Sequence, residues 1–248
     1  MRRDATSLWA PALGKEGNLI AYGHFGRPLL VFPSEAGRCT DYESNGMIDV
    51  AAPLIEAGRV KLYCVDSFDE LTWSDRTIPV GERARRHGAY EDWILNQVVP
   101  AIHADCGGFT DMMVTGPSFG AYHAANFALK RADLFPVAIC QSGVYDMAAL
   151  SWAWGEGSEE LYFNNPMAYV PNLDGPHLEW LRSRVHLVIT AGQGQWEDTT
   201  GATNSSRQLA SLLGQKGIPC ELDLWGHDVA HDWPWWRRQL AHHLPRFC

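Results

Sequence analysis

A serine lies at the centre of the sequence GPSFG at residues 116–120, between an apolar run and a stretch typical of a helix. The run 112–115 and the stretch 121–130 predict a strand, a sharp turn and a helix, with Ser118 at the apex of the turn. Glycines flank such a serine because bulkier residues would collide across so tight a bend. This context favours a serine nucleophile for acyl transfer over a serine in an ordinary glycine-rich turn.

A serine hydroxyl is a weak nucleophile and needs a general base that is itself oriented by a carboxylate. In a parallel α/β sheet these groups gather at the carboxyl ends of strands. The loop after the apolar run 185–191 offers Glu197 as the acid, with Asp198 as the alternative, and either could instead serve the start of the next helix. The loop after the run 220–225 offers His231 as the base, with His227 as the alternative.

Two other interpretations of these loops are weaker. The spacing of His227 and His231 resembles a helical metal pair, but an aspartate replaces the expected glutamate, and Gly226 and Pro234 disfavour a helix across both histidines. The glycines of the acid loop lack the third glycine of a dinucleotide fingerprint. We therefore expect neither a metal nor a cofactor.

Six apolar runs separated by helical stretches predict a doubly wound α/β domain with a mostly parallel sheet covered on both faces. The apolar runs are residues 29–32, 60–65, 112–114, 137–140, 185–189 and 220–225. The helical stretches are residues 46–57, 82–103, 121–130 and 205–216. A chain of 248 residues with this pattern is expected to form a single domain, 1–248.

The interval 143–184 breaks the alternation because it has little strand signal and many aromatic residues. We interpret it as a lid or cap over the site, and the alternative is a structural excursion that closes the core. Trp152 and Trp154 in this interval, and Trp196 in the acid loop, are expected to line the substrate pocket. Plain packing is the alternative for each tryptophan.

Composition restricts the partners. A net charge of −9 at pH 7 without any run of Lys or Arg argues against nucleic acid or an anionic membrane surface. The first residues have no apolar stretch of signal-peptide length, and the six cysteines show no C-x-x-C spacing, so we expect a cytoplasmic protein with reduced thiols. No apolar run is long enough for a transmembrane helix. The oligomeric state, including a homo-oligomer, stays open.

The serine turn, the acid loop and the base loop make the chain resemble the α/β-hydrolase family of esterases that includes esterase D-like enzymes and the mycolyltransferases. The resemblance extends from residue 23 to the C-terminus and is carried by GPSFGA at 116–121, GQGQWE at 192–197 and HDWPWW at 231–236. It implies an α/β-hydrolase fold, with the aromatic-rich insertion before the acid-bearing strand. It also implies Ser118 as nucleophile, Glu197 as acid and His231 as base.

The same resemblance implies an oxyanion hole made by two backbone N–H groups. One belongs to Phe119, and the other to the loop 33–37, where Ser34 and Glu35 are the candidates. The chain departs from lipases that carry an HGGG segment, and it lacks the secretion signal of exported mycolyltransferases. A soluble ester is therefore a more plausible substrate than a cell-envelope lipid.

Together these features predict a serine esterase that cleaves a carboxylic ester of a small soluble substrate through an acyl-enzyme on Ser118. An acyltransferase with the same triad is an alternative within the same chemistry. A non-catalytic ligand-binding homologue is an alternative from another class. The substrate and its acyl chain length are left open.

Overall fold

Eight strands form one sheet in the computed structural model, which describes all 248 residues. The strands are β1 (Arg3–Ala10), β2 (Lys15–Tyr22), β3 (Arg27–Val31), β4 (Val60–Val65), β5 (Met113–Pro117), β6 (Val137–Gln141), β7 (His186–Ala191) and β8 (Cys220–Leu224). Their order is β1-β2-β4-β3-β5-β6-β7-β8. β2 pairs antiparallel with β1 and with β4, whereas all other pairs are parallel. The predicted mostly parallel sheet is confirmed.

Both faces of the central strands are buried, which explains why their sequences are continuous apolar runs. Every residue of β4 is buried, as is every residue of β5 and β6. Because side chains alternate along a strand, Leu30 and Phe32 belong to a core cluster of 45 residues on one face, and Leu29 and Val31 belong to one of 19 residues on the other. The sheet is thus the middle layer of three.

Helices cover the two faces. They are α1 (Asp41–Ser44), α2 (Met47–Glu56), α3 (Val80–Trp93), α4 (Val99–Asp105), α5 (Phe119–Lys130), α6 (Glu159–Phe163), α7 (Pro166–Tyr169), α8 (Gly175–Arg184), α9 (Ala202–Gln215) and α10 (Trp233–His243). A π-helical segment, Ile94–Val98, joins α3 to α4. α2 and α10 supply the smaller core cluster, and α3, α5, α8 and α9 contribute to the larger one. None of the helices combines the length and the apolar character that crossing a bilayer requires.

The insertion at 143–184 contains helices α6 to α8 and no strand. Its later part closes the larger core cluster through Leu161, Tyr169, Val170 and Leu181, all of which are buried. Its earlier part, before α6, supplies residues to the same cavity as Ser118 and also buries Tyr145 and Met147 in that core cluster. Closing the core therefore describes both parts, and a lid role for the earlier part stays a prediction.

Candidate active site

Ser118 occupies a strained turn between the last residue of β5 and the first residue of α5. Its backbone dihedral angles are φ 54° and ψ −119°, which a residue with a side chain rarely adopts. The turn is held by the N–H of Ser118, which donates to the carbonyl of Gln141 on the neighbouring strand β6 at 2.8 Å. This geometry presents the hydroxyl at the carboxyl edge of the sheet.

The glycines beside this turn are explained by close backbone contacts. A Cβ atom on Gly120 would lie 2.4 Å from the carbonyl oxygen of Pro33, and one on Gly116 would lie 2.5 Å from the carbonyl carbon of Gly120. Both distances are far below van der Waals contact, and the neighbouring atoms are backbone atoms that cannot rotate away. Both glycines of the G-x-S-x-G pattern are therefore required because the first turn of α5 packs tightly on the end of β3.

A continuous chain of hydrogen bonds joins the serine to a buried carboxylate. The Nε2 atom of His231 lies 2.9 Å from Oγ of Ser118, and its Nδ1 atom lies 3.2 Å from Oε2 of Glu197. Glu197 is fully buried. With the imidazole proton on Nδ1, His231 donates to Glu197 and accepts the serine proton at Nε2, as general-base activation requires.

The alternative acid and base lie outside this chain of hydrogen bonds. Asp198 is exposed, and its carboxylate accepts the backbone N–H of Thr199 at 2.8 Å. His227 is exposed, with Nδ1 3.2 Å from the carbonyl oxygen of Gln193. Of the two adjacent acids only Glu197, and of the two histidines only His231, belongs to the hydrogen-bonded chain that reaches Ser118.

Two residues that the sequence did not single out support the acid. Oε1 of Glu197 accepts the hydroxyl of Ser142 at 2.6 Å and the N–H of Gly192 at 3.1 Å. The indole N–H of Trp236 in turn donates to the hydroxyl oxygen of Ser142 at 3.2 Å. The Trp236 ring also meets the His231 ring edge to face, with centroids 5.0 Å apart. Acid and base are thus fixed by the same indole.

A sequence signal existed for each of these two residues. Trp236 is the last residue of the His-x-Trp-x-x-Trp segment that carried the resemblance. Ser142 directly follows β6, at the edge where catalytic groups are expected. Nothing in the sequence, however, indicates that this serine reaches a glutamate 55 positions later.

The acid loop and the base loop are tied directly to each other. The N–H of Gly194 donates to the carbonyl of Val229 at 2.9 Å, and the N–H of His231 donates to the carbonyl of Gln195 at 2.9 Å. A Cβ atom on Gly192 would lie 2.1 Å from the carbonyl oxygen of Val229. The two glycines, which superficially resemble part of a nucleotide-binding motif, allow these loops to touch.

The loop 33–37 forms a turn, closed by the N–H of Gly37 donating to the carbonyl of Ser34 at 3.0 Å. Within it Ala36 has φ 54°, in the left-handed region. The N–H of Ala36 donates to Oδ2 of Asp69 at 3.1 Å and so already has an acceptor.

The backbone N–H groups expected to form an oxyanion hole differ in their hydrogen bonds and in their position relative to the cavity. Those of Phe119 and Glu35 donate no hydrogen bond within the chain, and both residues line the same cavity as Ser118. Ser34 does not line the cavity, and its carbonyl closes the turn. The arrangement therefore favours Phe119 and Glu35 over Ser34 as the pair of donors.

Four residues other than glycine have a positive φ in this chain, and all four lie in these loops. They are Ala36, Ser118, Ser142 and Trp196. Such conformations persist only where the surrounding structure enforces them, and they cluster at functional sites. Local backbone strain therefore marks the same edge of the sheet as the hydrogen-bonded triad.

A cavity of about 610 Å³ opens beside Ser118. Of the three tryptophans expected to line it, only Trp152 does so, with its ring 5.1 Å from the guanidinium carbons of both Arg76 and Arg83. Trp154 is 48% exposed and donates its indole N–H to the carbonyl of Arg76 instead. Trp196 is 49% exposed and also lies outside the lining.

The lining of the cavity is largely polar. Three carboxylates contribute to it, those of Glu35, Asp146 and Asp198, and no basic residue does. The other polar lining residues are Ser151, Thr199, Thr200, Asn204, Ser205 and Gln208. Trp152 and Phe119 are the aromatic residues of the lining, and Val144, Ala149 and Leu150 add aliphatic side chains. The aromatic wall expected from the sequence is therefore reduced to two residues beside hydroxyl, amide, carboxylate and aliphatic groups.

One group of side chains elsewhere has metal-ligand composition. The side chains of Asp223, His242 and His243 place potential ligand atoms within 4.8 Å of one another. Both ring nitrogens of His243 are already engaged, Nε2 with Asp223 at 3.0 Å and Nδ1 with Arg246 at 3.0 Å. The contacts are those of a hydrogen-bonded ion cluster, which leaves His243 no free lone pair for a metal.

Comparison with known proteins identifies a family and several structures with the same fold. A model of the family described as "Putative esterase" matches residues 39–247. No protein with curated annotation matches the chain. Three solved structures have similar folds. A ferulic acid esterase has a TM-score of 0.77 and 16% identity, and the match covers 99% of this chain and 97% of that one. An S-formylglutathione hydrolase from Agrobacterium tumefaciens has a TM-score of 0.76 and 14% identity, with 98% and 93% covered, and a substrate-bound, fluorophosphonate-binding serine hydrolase from Staphylococcus aureus has a TM-score of 0.69 and 15% identity, with 99% and 97% covered.

Proposed function

Because the chain belongs to the esterase family of the α/β-hydrolases, we propose that it hydrolyses a carboxylic ester through an acyl-enzyme on Ser118. The observation that carries the proposal is the hydrogen-bonded series Ser118, His231 and Glu197, whose serine lines a cavity. Neither the serine nor the histidine would be expected to adopt this arrangement by packing alone, since the serine turn is strained.

The reaction follows from the atoms in place. Oγ of Ser118 attacks the ester carbonyl carbon while Nε2 of His231 takes its proton, and Glu197 stabilises the imidazolium that forms. The N–H groups of Phe119 and Glu35 stabilise the negative charge on the tetrahedral intermediate. His231 then returns the proton to the departing alcohol. A water molecule, deprotonated by His231, releases the acid and restores the serine.

The polar lining supports a polar substrate. An anionic group in the cavity would face the carboxylates of Glu35, Asp146 and Asp198, whereas a hydroxyl-rich or cationic group would find acceptors there. The substrate proposed is accordingly a small ester whose group in the cavity is neutral and polar or cationic.

Intact-mass analysis after exposure to a fluorophosphonate tests the proposal. The wild-type chain should gain one phosphonyl group, and the Ser118→Ala variant should gain none. Ser183→Ala is a matched control, because Ser183 is exposed on α8 and lies outside the cavity lining. Its labelling should equal that of the wild type.

Turnover of p-nitrophenyl esters with neutral, cationic and anionic acyl groups of equal length then tests the substrate class. Failure of the folded wild type to be labelled, or full turnover by Ser118→Ala, would refute the acyl-enzyme. Faster turnover of the anionic ester would refute the substrate class alone.

A further inference from the structure

A second buried carboxylate lies next to the active site without lining its cavity. Asp69 begins a short 3₁₀ turn after β4 and is 1% exposed. Its Oδ2 atom accepts the N–H of Ala36 at 3.1 Å, and its Oδ1 atom lies 3.1 Å from Nε2 of His123. A buried carboxylate is costly unless donors satisfy it, so its presence requires a reason.

The first contact fixes the loop 33–37. The N–H of Ala36 belongs to the peptide that directly follows Glu35, a residue that lines the cavity and whose own N–H donates no hydrogen bond within the chain. Because Ala36 has φ 54°, this peptide would be free to rotate to a relaxed conformation if its N–H had no acceptor. The bond to Asp69 therefore holds the peptide that orients the Glu35 N–H.

The second contact reaches the other half of the oxyanion hole. His123 lies in α5 and is fully buried. Its ring meets the ring of Phe119 edge to face, with centroids 5.3 Å apart and planes at 83°. Phe119 supplies the other N–H group, so a single carboxylate is linked to both donors.

The surroundings of His123 make Asp69 its only polar partner. Its Nδ1 atom and both ring nitrogens of His87 have no hydrogen-bond partner. The His87 ring stacks on the His123 ring with centroids 5.3 Å apart, and burial lowers the pKa of His87 well below its ordinary value. His87 therefore stays neutral and offers His123 only a packing contact.

Building on the proposed function, we infer that Asp69 and His123 are positioning residues that hold the two N–H donors of the oxyanion hole in register. Neither residue lines the cavity, so both act through Ala36 and Phe119. Loss of the link should weaken binding of the tetrahedral oxyanion more than binding of the ester itself.

The Asp69→Ala variant tests the inference through steady-state kinetics and inhibition by a trifluoromethyl ketone, which forms a tetrahedral oxyanion with the serine. We expect kcat to fall about 10- to 100-fold with KM changed less than about threefold, since one weakened donor accounts for a loss of this order. The inhibition constant of the ketone should rise by the same factor as kcat/KM falls.

Asp69→Asn separates geometry from charge. Its amide can still accept the N–H of Ala36 and can donate to Nε2 of a neutral His123, so most of the activity should be retained. If Asp69→Ala does not fold, His123→Gln takes its place, because it removes the ring contact with Phe119 and leaves the Asp69 bond to Ala36. Its kcat and its affinity for the ketone should fall together.

Asp66→Ala is the matched control. Asp66 lies in the same segment, is 3% exposed and also accepts backbone N–H groups, those of Asn18 at 2.9 Å and Cys39 at 3.0 Å. It contacts neither half of the oxyanion hole. This variant should unfold at a lower temperature than the wild type, while kcat and ketone inhibition stay unchanged.

Two results would overturn the inference. One is a folded Asp69→Ala variant, or His123→Gln in its place, whose kcat lies within twofold of the wild type. The other is a loss of kcat without a matching loss of ketone affinity. Fluorophosphonate labelling of the wild type is measured first, because its absence would refute the acyl-enzyme itself and so would be distinguishable from failure of the Asp69 inference.

Discussion

Replacing Glu197 with glutamine should reverse the hydrogen-bond polarity at the base while preserving the shape of the site. Oε1 of Glu197 faces the N–H of Gly192 at 3.1 Å, a group that can only donate. The oxygen of the new amide must therefore stay on Gly192, and its NH₂ group must face Nδ1 of His231. A donor at this position forces the imidazole proton onto Nε2.

The wrong tautomer would disable the base. With its proton on Nε2, His231 would donate to the hydroxyl of Ser118 at the present 2.9 Å separation and could not take the serine proton. An isosteric acid-to-amide change of this kind costs about 10⁴-fold in kcat in serine hydrolases. That factor corresponds to about 5 kcal/mol of transition-state stabilisation.

The assay is kcat on an activated p-nitrophenyl ester together with the rate of fluorophosphonate labelling, and thermal unfolding verifies that the variant is folded. Glu159→Gln is the control, because it makes the same chemical change at an exposed position on α6 that lies outside the cavity lining. It should retain wild-type kcat within about threefold, as surface changes usually have small effects. A Glu197→Gln variant within tenfold of the wild type, or an equal loss in Glu159→Gln, would refute the tautomer argument.

Two further predictions concern stability. Gly120→Ala should lower the free energy of unfolding by more than about 2 kcal/mol and abolish turnover, because its Cβ would lie 2.4 Å from the carbonyl oxygen of Pro33. Gly214→Ala in α9, where nothing lies within 4 Å of the added Cβ, should raise the free energy of unfolding by about 0.5–1 kcal/mol. Urea unfolding that finds Gly120→Ala more stable than Gly214→Ala would contradict both expectations. Burial lowers the pKa of His87, so below about pH 6.5 only the unfolded chain binds a proton at this residue, and the free energy of unfolding falls as the pH drops. In His87→Leu the slope of the free energy of unfolding against pH should decrease by up to about 1.4 kcal/mol per pH unit. Urea titrations at pH 5–7 that give the wild-type slope would count against this prediction.

The parallel part of the sheet could be predicted from the sequence. The strands β3 to β7 coincide with five of the six apolar runs, because almost every residue on both of their faces is buried. The edge strand β8 coincides with the sixth run although none of its residues is buried. The hairpin of β1 and β2 was not identified, because β1 exposes most of its residues and so has no apolar run.

The site shows a similar division. Ser118, Glu197 and His231 could be placed because each follows a strand, and the carboxyl ends of parallel strands share an edge. The roles suggested here for Ser142 and Asp69 could not be predicted, because each depends on a partner more than fifty positions away. Aromatic character predicted neither burial nor location for Trp154 and Trp196, which are about half exposed and do not line the cavity.

The four residues with positive φ have a consequence for protein engineering. Ala36 and Trp196 could become glycine with relief of strain, whereas Ser118 and Ser142 need their hydroxyl groups for contacts with His231 and with the acid. Selection for heat resistance alone will favour substitutions that remove this backbone strain, and selection for turnover will oppose them. A thermostability library built on this chain should therefore hold these four positions fixed and seek its gains in the outer helices.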